Sequence, residues 1–241
     1  MNKKTRGIVL QSTNYSETSL VVKIYTEQYG LESYIVSGVR TKKSRFSSNI
    51  FQPLSLVELV ASGRTGSTLK RITDIQLSPA FSGIPGDVIK STIALFLSEV
   101  IYRSIREEEH NPALFGFLHN SIQILDLSQD NCARFHLYFM IQLTRYLGFF
   151  PQGECNSNGR CFDLKEGVFT DYHSSHIFIL DHENSLLLYR LMNSGFETYR
   201  DIVIPAPRMR TILDALVTYF EIHHTHGNPI RSHTILGEVL Q

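Results

Sequence analysis

The first third of the chain places apolar and polar residues with the two-residue period of a β-strand. Residues 54–60 show this alternation most clearly, and clusters of Gly, Pro and Ser separate five such runs. The runs predict strands at 7–10, 20–25, 34–39, 54–60 and 68–77. Five short strands in so little sequence are typical of a small Greek-key barrel of the OB type, and an SH3-like barrel is the alternative.

The apolar period changes to that of an α-helix after a segment rich in Pro and Gly at 79–86. This period predicts helices at 87–108, 112–127, 133–147 and 207–223, and a last helix that opens at Asn228-Pro229. The sequence therefore predicts an α+β protein, in which an OB-type β-barrel domain at 1–80 precedes an α-helical domain at 81–241. Within the helical domain, an irregular insert is expected at about 151–200.

The net charge of zero hides an asymmetry between the two predicted domains. Residues 1–80 contain 11 Lys and Arg against 5 Asp and Glu, whereas the remainder contains 12 against 18. A basic domain beside an acidic one indicates that the basic part contacts a polyanion such as nucleic acid.

The run from Gly38 to Arg45 follows the third predicted strand and concentrates cations in a loop. Small or hydroxyl side chains separate these cations, which suits contact with phosphates, and a solvated loop with incidental charges is the alternative. The predicted DNA-binding residues of the barrel are Arg40, Lys42, Lys43, Arg45, Lys23, Lys3, Lys4, Arg6, Lys70 and Arg71.

Aromatic residues are interleaved with these cations, at Tyr15, Tyr25, Tyr29, Tyr34 and Phe46. Barrels that bind single strands combine a positive groove with aromatic rings on which bases stack. The alternative is that Tyr25 and Tyr34 belong to the core and that only the loop cations touch phosphate.

Two groups of sulfur and imidazole side chains have spacings that suggest metal binding. Cys155-x5-Cys161 with His173-x2-His176 offers four potential zinc ligands, and ordinary thiols with surface histidines are the alternative. The group His223-His224-x-His226 follows a predicted helix, where cations at the carboxyl end are favourable without a metal.

Motifs for catalysis or membrane insertion are missing from the sequence. It contains no P-loop, no dinucleotide-binding glycine fingerprint and no G-x-S-x-G, and Glu107 to Glu109 point in different directions around a helix. Three cysteines and the lack of an apolar run of roughly 20 residues favour a cytoplasmic protein. We therefore expect a protein that is not an enzyme.

Short motifs are distributed along nearly the whole chain. The barrel half carries GIVL at 7–10, YSE at 15–17, TEQYG at 26–30, GVR at 38–40 with KS at 43–44, and PL at 53–54. The helical half carries LGFFP at 147–151 and FDLKEG at 162–167. Together these motifs resemble those of the RecO family of bacterial DNA repair and recombination proteins.

The resemblance implies an OB-fold joined to a helical domain, with no nucleotide hydrolysis. It implies binding of single- and double-stranded DNA, annealing of complementary strands, and loading of RecA with RecR, and often RecF, on strands coated by single-stranded-DNA-binding protein. It further implies that a helical groove receives the acidic C-terminal tail of that coating protein. By residue type, candidate partners for the tail's carboxylates are Arg103, Arg134 and Arg145.

Many RecO proteins carry a C-x2-C…C-x2-C zinc module after the L-G-x-x-P segment. This sequence departs from that pattern, because Cys155 and Cys161 are too far apart and His173 and His176 stand where the second pair belongs. Zinc is therefore not carried over as a cofactor.

Two other classes of function lead to different expectations. A protein-interaction adaptor whose barrel binds a peptide would neither anneal strands nor show salt-dependent contact with nucleic acid. A zinc-dependent hydrolase would bind stoichiometric metal and lose activity with a chelator.

Overall fold

The chain folds into two compact units, Met1–Leu127 and Ser128–Gln241. The computed structural model describes residues 2–39, 45–63, 67–105, 110–129, 132–155, 159–171, 177–224 and 228–240. Within these ranges, no helix has both the length and the apolar character needed to cross a bilayer. The division into domains at residue 80 stays a prediction.

The first unit begins with a closed five-stranded barrel. Its strands are hydrogen-bonded in the order β1-β2-β3-β5-β4, with β3 and β5 parallel and the other pairs antiparallel. This confirms the predicted fold class of an OB-type barrel followed by helices. The strands are β1 (Asn2–Asn14), β2 (Leu20–Thr26), β3 (Gly30–Val36), β4 (Leu56–Ser62) and β5 (Lys70–Leu77).

Alternation along each strand fills the barrel with apolar side chains. Val22 and Ile24 of β2 are fully buried in the same core as Val57 and Leu59 of β4. Several predicted strand boundaries were wrong; the first strand, for example, is longer than the predicted 7–10, and two other differences have backbone reasons. The third strand lies earlier than predicted, because it starts in the β2–β3 turn at Gly30, where φ is 65°. The fourth starts later, because Leu54 takes a positive φ of 61° and belongs to the preceding turn.

Three helices complete the first unit: α1 (Gly83–Gly86), α2 (Val88–Ser104) and α3 (Pro112–Leu127). The Asp87 side chain accepts a hydrogen bond from the Lys90 amide and caps α2, as the sequence predicts. α2 ends at Ser104, earlier than the predicted 108. The barrel packs on these helices, and the Tyr25 and Phe115 rings lie 6.2 Å apart.

The second unit combines helices with a small sheet. Gly148 caps the C-terminus of α4 and adopts a left-handed φ of 85°. The last helix begins at His233 and not at Asn228 as predicted. The elements are α4 (Phe135–Leu147), β6 (Cys161–Asp163), β7 (Val168–Thr170), β8 (Ile179–Leu180), α5 (His182–Met192), α6 (Ala206–His223) and α7 (His233–Val239).

The segment expected to be irregular holds much of this regular structure. β6 pairs with both β7 and β8, and α5 follows directly. Asp181 caps α5 by accepting from the Asn184 amide at 3.1 Å. The side chain of Ser185 donates to the Leu180 carbonyl and accepts from the Phe162 amide, which joins α5 to the sheet.

Candidate nucleic-acid interface

One part of the barrel's outer surface presents cations, and the seven described residues that form it include no acidic side chain. Val22, Ile24 and Ile72 point into the core, so their neighbours along β2 and β5, Lys23 and Arg71, point outward. We call this surface the outer barrel face, and it consists of Gln11, Thr13, Val21, Lys23, Ser33, Ile35 and Arg71.

Strand register aligns these side chains in two rows across the sheet. In the first row, Lys23 pairs with Gln11 of β1 and Ser33 of β3, and its Nζ donates to Ser33 Oγ at 2.6 Å. In the second row, Ile35 pairs with Val21 on one side and Arg71 on the other. Two cations from separate strands thus share one surface with small polar and half-buried apolar groups.

Other cations of the barrel form ion pairs with carboxylates. Lys4 Nζ lies 3.3 Å from Glu58, and an Arg45 amino group lies 3.2 Å from Asp74. A carboxylate at this distance cancels much of the positive potential that a phosphate would experience. The ion pairs among the described residues of the barrel are Lys4–Glu58, Arg6–Glu27, Arg45–Asp74 and Lys70–Glu32.

The Arg6–Glu27 pair is held by two hydrogen bonds. Arg6 Nε donates to one Glu27 oxygen at 2.8 Å, and Nη2 donates to the other at 2.5 Å. The hydrogen bonds from Arg6 hold the pKa of Glu27 below its usual range and raise the pKa of Arg6. The guanidinium also lies 5.5 Å from the Phe115 ring centroid, so it is fixed on the side of the barrel that meets the helices.

The aromatic residues divide between core and surface. Tyr25 and Tyr34 are each only 1% exposed, which confirms the alternative that both belong to the core. Burial raises the pKa of the Tyr34 hydroxyl. Tyr15 is 64% exposed, and Tyr29 is half-buried beside Lys3.

The cationic loop predicted from the sequence falls largely outside the described residues. This applies to Arg40, Lys42 and Lys43, and also to the predicted solvated glutamates 107–109. Arg45, which ends the loop, has an exposed side chain 5.4 Å from the Phe46 centroid.

The three arginines predicted to bind a partner's tail belong to different units of the chain. Arg103 belongs to the first unit and lies 3.8 Å from Glu99, one turn earlier on α2. Arg134 and Arg145 belong to the second unit. Arg134 donates to the Arg200 carbonyl at 3.2 Å, and Arg145 stacks 3.6 Å from the Phe150 ring centroid.

A different arginine lines an apolar pocket in the second unit. The pocket lies between α4, α6 and α7 and encloses about 290 Å³. His136 in its wall is fully buried, and burial lowers the pKa of His136 to about 3, so the ring is neutral. The pocket is lined by His136, Ala206, Pro207, Met209, Arg210, Leu213, Gly237 and Leu240.

Arg210 was not among the arginines predicted from the sequence. Those candidates were chosen by residue type, without regard to the side of the helix on which each residue lies. Pro207, Arg210 and Leu213 recur every three residues near the start of α6, which places them on one side of the helix. This spacing is the signal that could have found the pocket.

The cysteines provide at most half of a zinc site. Cys155 and Cys161 are buried, burial raises the pKa of both thiols, and each contacts a backbone carbonyl. His173 and His176 lie outside the described residues. Elsewhere in the described chain, no three His, Cys, Asp or Glu side chains converge as metal ligands. A structural zinc requires four ligands, so the two thiols alone do not fit it.

The remaining sulfur and imidazole groups have structural contacts. Cys132 is 4% exposed and packs as a small buried residue. His223 lies in the last turn of α6, contacts the Leu164 carbonyl through Nε2 at 2.8 Å, and stacks on Phe149. His226 falls beyond the described residues.

Comparison with known proteins covers both units. The chain matches the family Recombination protein O N terminal over residues 1–81 and the family Recombination protein O C terminal over residues 85–232. It is 35% identical over 240 residues to the DNA repair protein RecO of Flavobacterium psychrophilum, which covers 99% of both chains. It is 36% identical over 243 residues to the RecO protein of Bacteroides fragilis, again across 99% of both chains.

A more distant relative matches most of the chain. The chain is 27% identical over 223 residues to the RecO protein of Porphyromonas gingivalis, which covers 91% of both chains. The match therefore includes the barrel that carries the outer barrel face and the helices that enclose the pocket. This chain belongs to the RecO family of DNA repair proteins.

Proposed function

We propose that this protein is a cytoplasmic recombination mediator that binds single- and double-stranded DNA and anneals complementary strands. With RecR as a partner, it helps to load RecA on DNA coated by single-stranded-DNA-binding protein. RecO proteins are non-catalytic mediators in DNA repair and recombination. The observation that carries the DNA-binding proposal is the outer barrel face, where Lys23 and Arg71 lie without a carboxylate among their neighbours on that face.

The geometry of this face suits a sugar–phosphate backbone. Lys23 on β2 and Arg71 on β5 are separated by β3, which places them roughly 10 Å apart across the sheet. Two cations at that separation can contact different phosphates of one strand, and contacts of this kind do not depend on base sequence. Binding to both single and double strands follows, since each presents the same phosphates.

The loop cations Arg40, Lys42 and Lys43 are proposed as further phosphate contacts, on the basis of their position in the sequence. They follow β3, which crosses the outer barrel face, and precede the exposed Arg45. Neutralised phosphates allow two complementary strands to approach one another, and this is how a basic surface without an active site promotes annealing.

The pocket in the second unit supports the proposed contact with an acidic protein tail. An apolar cavity accepts apolar side chains, and Arg210 at its wall can pair with a carboxylate through two parallel hydrogen bonds. We therefore place Arg210 ahead of Arg103, Arg134 and Arg145 as the tail's carboxylate partner.

An annealing assay tests the DNA part of the proposal. Complementary oligonucleotides are mixed with the protein, with and without single-stranded-DNA-binding protein, and duplex formation is followed. We expect acceleration by the wild-type protein and at least about a fivefold loss with Lys23→Ala/Arg71→Ala or Arg40→Ala/Lys42→Ala/Lys43→Ala. Lys4→Ala/Arg6→Ala serves as the control, because both of its cations are already paired. No acceleration by the wild type would favour the adaptor function instead.

A peptide titration tests the tail part. The Arg210→Ala variant is expected to bind an acidic C-terminal peptide about tenfold more weakly, equivalent to 1.4 kcal/mol. Arg208→Ala is the matched control, since Arg208 lies two residues earlier on α6 and pairs with Glu183. Equal affinities of the two variants would remove the pocket from the proposal.

A further inference from the structure

One end of the barrel gathers two lysines around a single tyrosine ring. Lys3 Nζ lies 4.2 Å from the centroid of the Tyr29 ring, and Lys70 Nζ lies 5.6 Å from the same centroid. Lys70 forms an ion pair with Glu32, and Glu32 also accepts a hydrogen bond from the Tyr34 hydroxyl. We call these five residues the Tyr29 cluster: Lys3, Tyr29, Glu32, Tyr34 and Lys70.

Strand alternation explains why these charges meet. Glu32 lies on the same side of β3 as Tyr34, and Lys70 lies on the same side of β5 as Ile72, so both point toward the barrel interior at its end. Their side chains are only 12% and 19% exposed. Gly63 makes room for the Lys70 stem, because a Cβ there would lie 3.0 Å from Lys70 Cγ.

The charges of the Tyr29 cluster do not balance. The cluster contains two ammonium groups, Lys3 and Lys70, and one carboxylate, Glu32, which leaves one positive charge in surplus. The Glu32–Lys70 pair is largely removed from water, where the attraction between charges is stronger but the cost of desolvation is high. An anionic oxygen ligand that binds Lys70 beside the Tyr29 ring would bring a second negative charge to the cluster and offset this surplus.

We propose that the Tyr29 cluster binds a phosphate group of a nucleic-acid strand and that Glu32 is the internal group which this phosphate displaces from Lys70. The inference rests on the proposed DNA binding and adds to it a second contact site with its own competitor. In the free protein Glu32 holds Lys70, so the site contributes only when a strand supplies phosphate. Glu32 thereby weakens the binding of that phosphate.

Removing the competitor is the first test. Glu32→Gln keeps an oxygen that can accept from the Tyr34 hydroxyl but no longer holds Lys70 by charge. We expect affinity for single-stranded DNA to rise about threefold to tenfold, because the phosphate no longer has to displace a carboxylate from Lys70. Glu58→Gln is the matched control, because it removes the same charge from the Lys4 pair on the outside of the barrel.

A double-mutant cycle separates a local effect from a general change in charge. The gain from Glu32→Gln is expected to vanish in the Lys70→Ala background, whereas any gain from Glu58→Gln persists there. The proposal is overturned if both glutamine variants bind equally tightly, or if the gain from Glu32→Gln survives without Lys70.

Substitution of the exposed Lys3 keeps the proposal testable if Glu32→Gln fails to fold. Lys3→Ala is expected to weaken strand binding and reduce the salt slope by about 0.7, while Lys4→Ala next to it has little effect because Glu58 pairs Lys4. Equal behaviour of these two neighbours would contradict the proposal.

Inorganic phosphate tests the Tyr29 cluster independently of the outer barrel face. Its addition is expected to shift the NMR signals of the Tyr29 ring in Glu32→Gln, and not in Glu32→Gln/Lys70→Ala. If phosphate causes no such shift while the wild type still anneals strands, the inference fails and the proposed function stands. If the shift occurs but the protein binds no DNA, the proposed function fails and the anion site remains.

Discussion

At the scale of single residues, ion pairing decides which cations of the barrel are available to a ligand. Lys4 and Arg6 of β1 carry the same charge as Arg71, yet each forms an ion pair with a carboxylate. Arg71 is exposed, and its neighbours on the outer barrel face are uncharged apart from Lys23. The distribution of carboxylates, more than the number of lysines and arginines, therefore marks the proposed interface.

The Arg6–Glu27 pair predicts a specific dependence of stability on pH. Arg6 lowers the folded-state pKa of Glu27, so the pair's contribution to the free energy of unfolding is complete at neutral pH and is lost as the pH falls through that pKa. We expect Glu27→Gln to reduce stability by less than about 1 kcal/mol at pH 7, since the pair is partly exposed to solvent. The difference from the wild type should shrink below about pH 5. Urea unfolding at several pH values measures it.

Asp74→Asn provides the comparison for this prediction, because the Arg45–Asp74 pair is exposed at both ends. Its effect at pH 7 should be smaller than that of Glu27→Gln. A wild-type advantage over Glu27→Gln that is unchanged from pH 7 to strongly acidic pH would contradict the role given to the Arg6 hydrogen bonds.

The sequence predicted the cationic character of the barrel but not its pairing. Arg6 and Glu27 are 21 positions apart, and they meet because the β1–β2 register brings Gly7 opposite Thr26. Register is fixed by the packing of the whole barrel and is not visible in the local pattern. The same applies to Lys70 and Glu32, which are joined through the parallel pairing of β3 with β5.

At the scale of elements, predictions succeeded where periodicity was strong. α3 runs over Pro112–Leu127 as predicted, because Asn111 and Pro112 mark its start and its apolar stripe is continuous. α5 was missed, because the apolar run before it resembles a strand and residues 177–180 do contribute β8. The capping residue Asp181, followed by Asn184, was the available signal for this helix.

The close packing of β1 against its neighbours predicts that Gly7 does not tolerate a side chain. A Cβ on Gly7 would lie 2.5 Å from Ile24 Cγ2 and 3.1 Å from Leu59 Cδ2, inside the barrel core. We expect Gly7→Ala to lower the free energy of unfolding by about 1–3 kcal/mol through overpacking, as measured by urea denaturation.

Gly116→Ala is the control for this substitution. Gly116 lies within α3, and a Cβ there meets nothing within 4 Å. Alanine is the better helix former, so this variant should gain roughly 0.5–1 kcal/mol of stability. If Gly7→Ala were as stable as Gly116→Ala, the close approach of β1, β2 and β4 described here would be wrong.

At the scale of the whole molecule, a net charge of zero conceals two units with different chemistry. The barrel carries the basic surplus predicted from residues 1–80, and the second unit offers an apolar pocket with one arginine. The first suits phosphates and the second suits an acidic protein tail. In the proposed function, the first unit engages DNA and the second engages the protein that coats it.

The most direct measurement is the salt dependence of single-strand affinity for Lys23→Ala/Arg71→Ala, compared with Lys4→Ala/Arg6→Ala. If the outer barrel face contacts phosphates, the first variant binds more weakly and its slope of log affinity against log salt is smaller by about 1.4, as expected for two lost contacts. The second variant, whose cations are already paired, keeps a slope close to that of the wild type. Equal slopes for the two variants, or a larger loss in the second, would contradict the account.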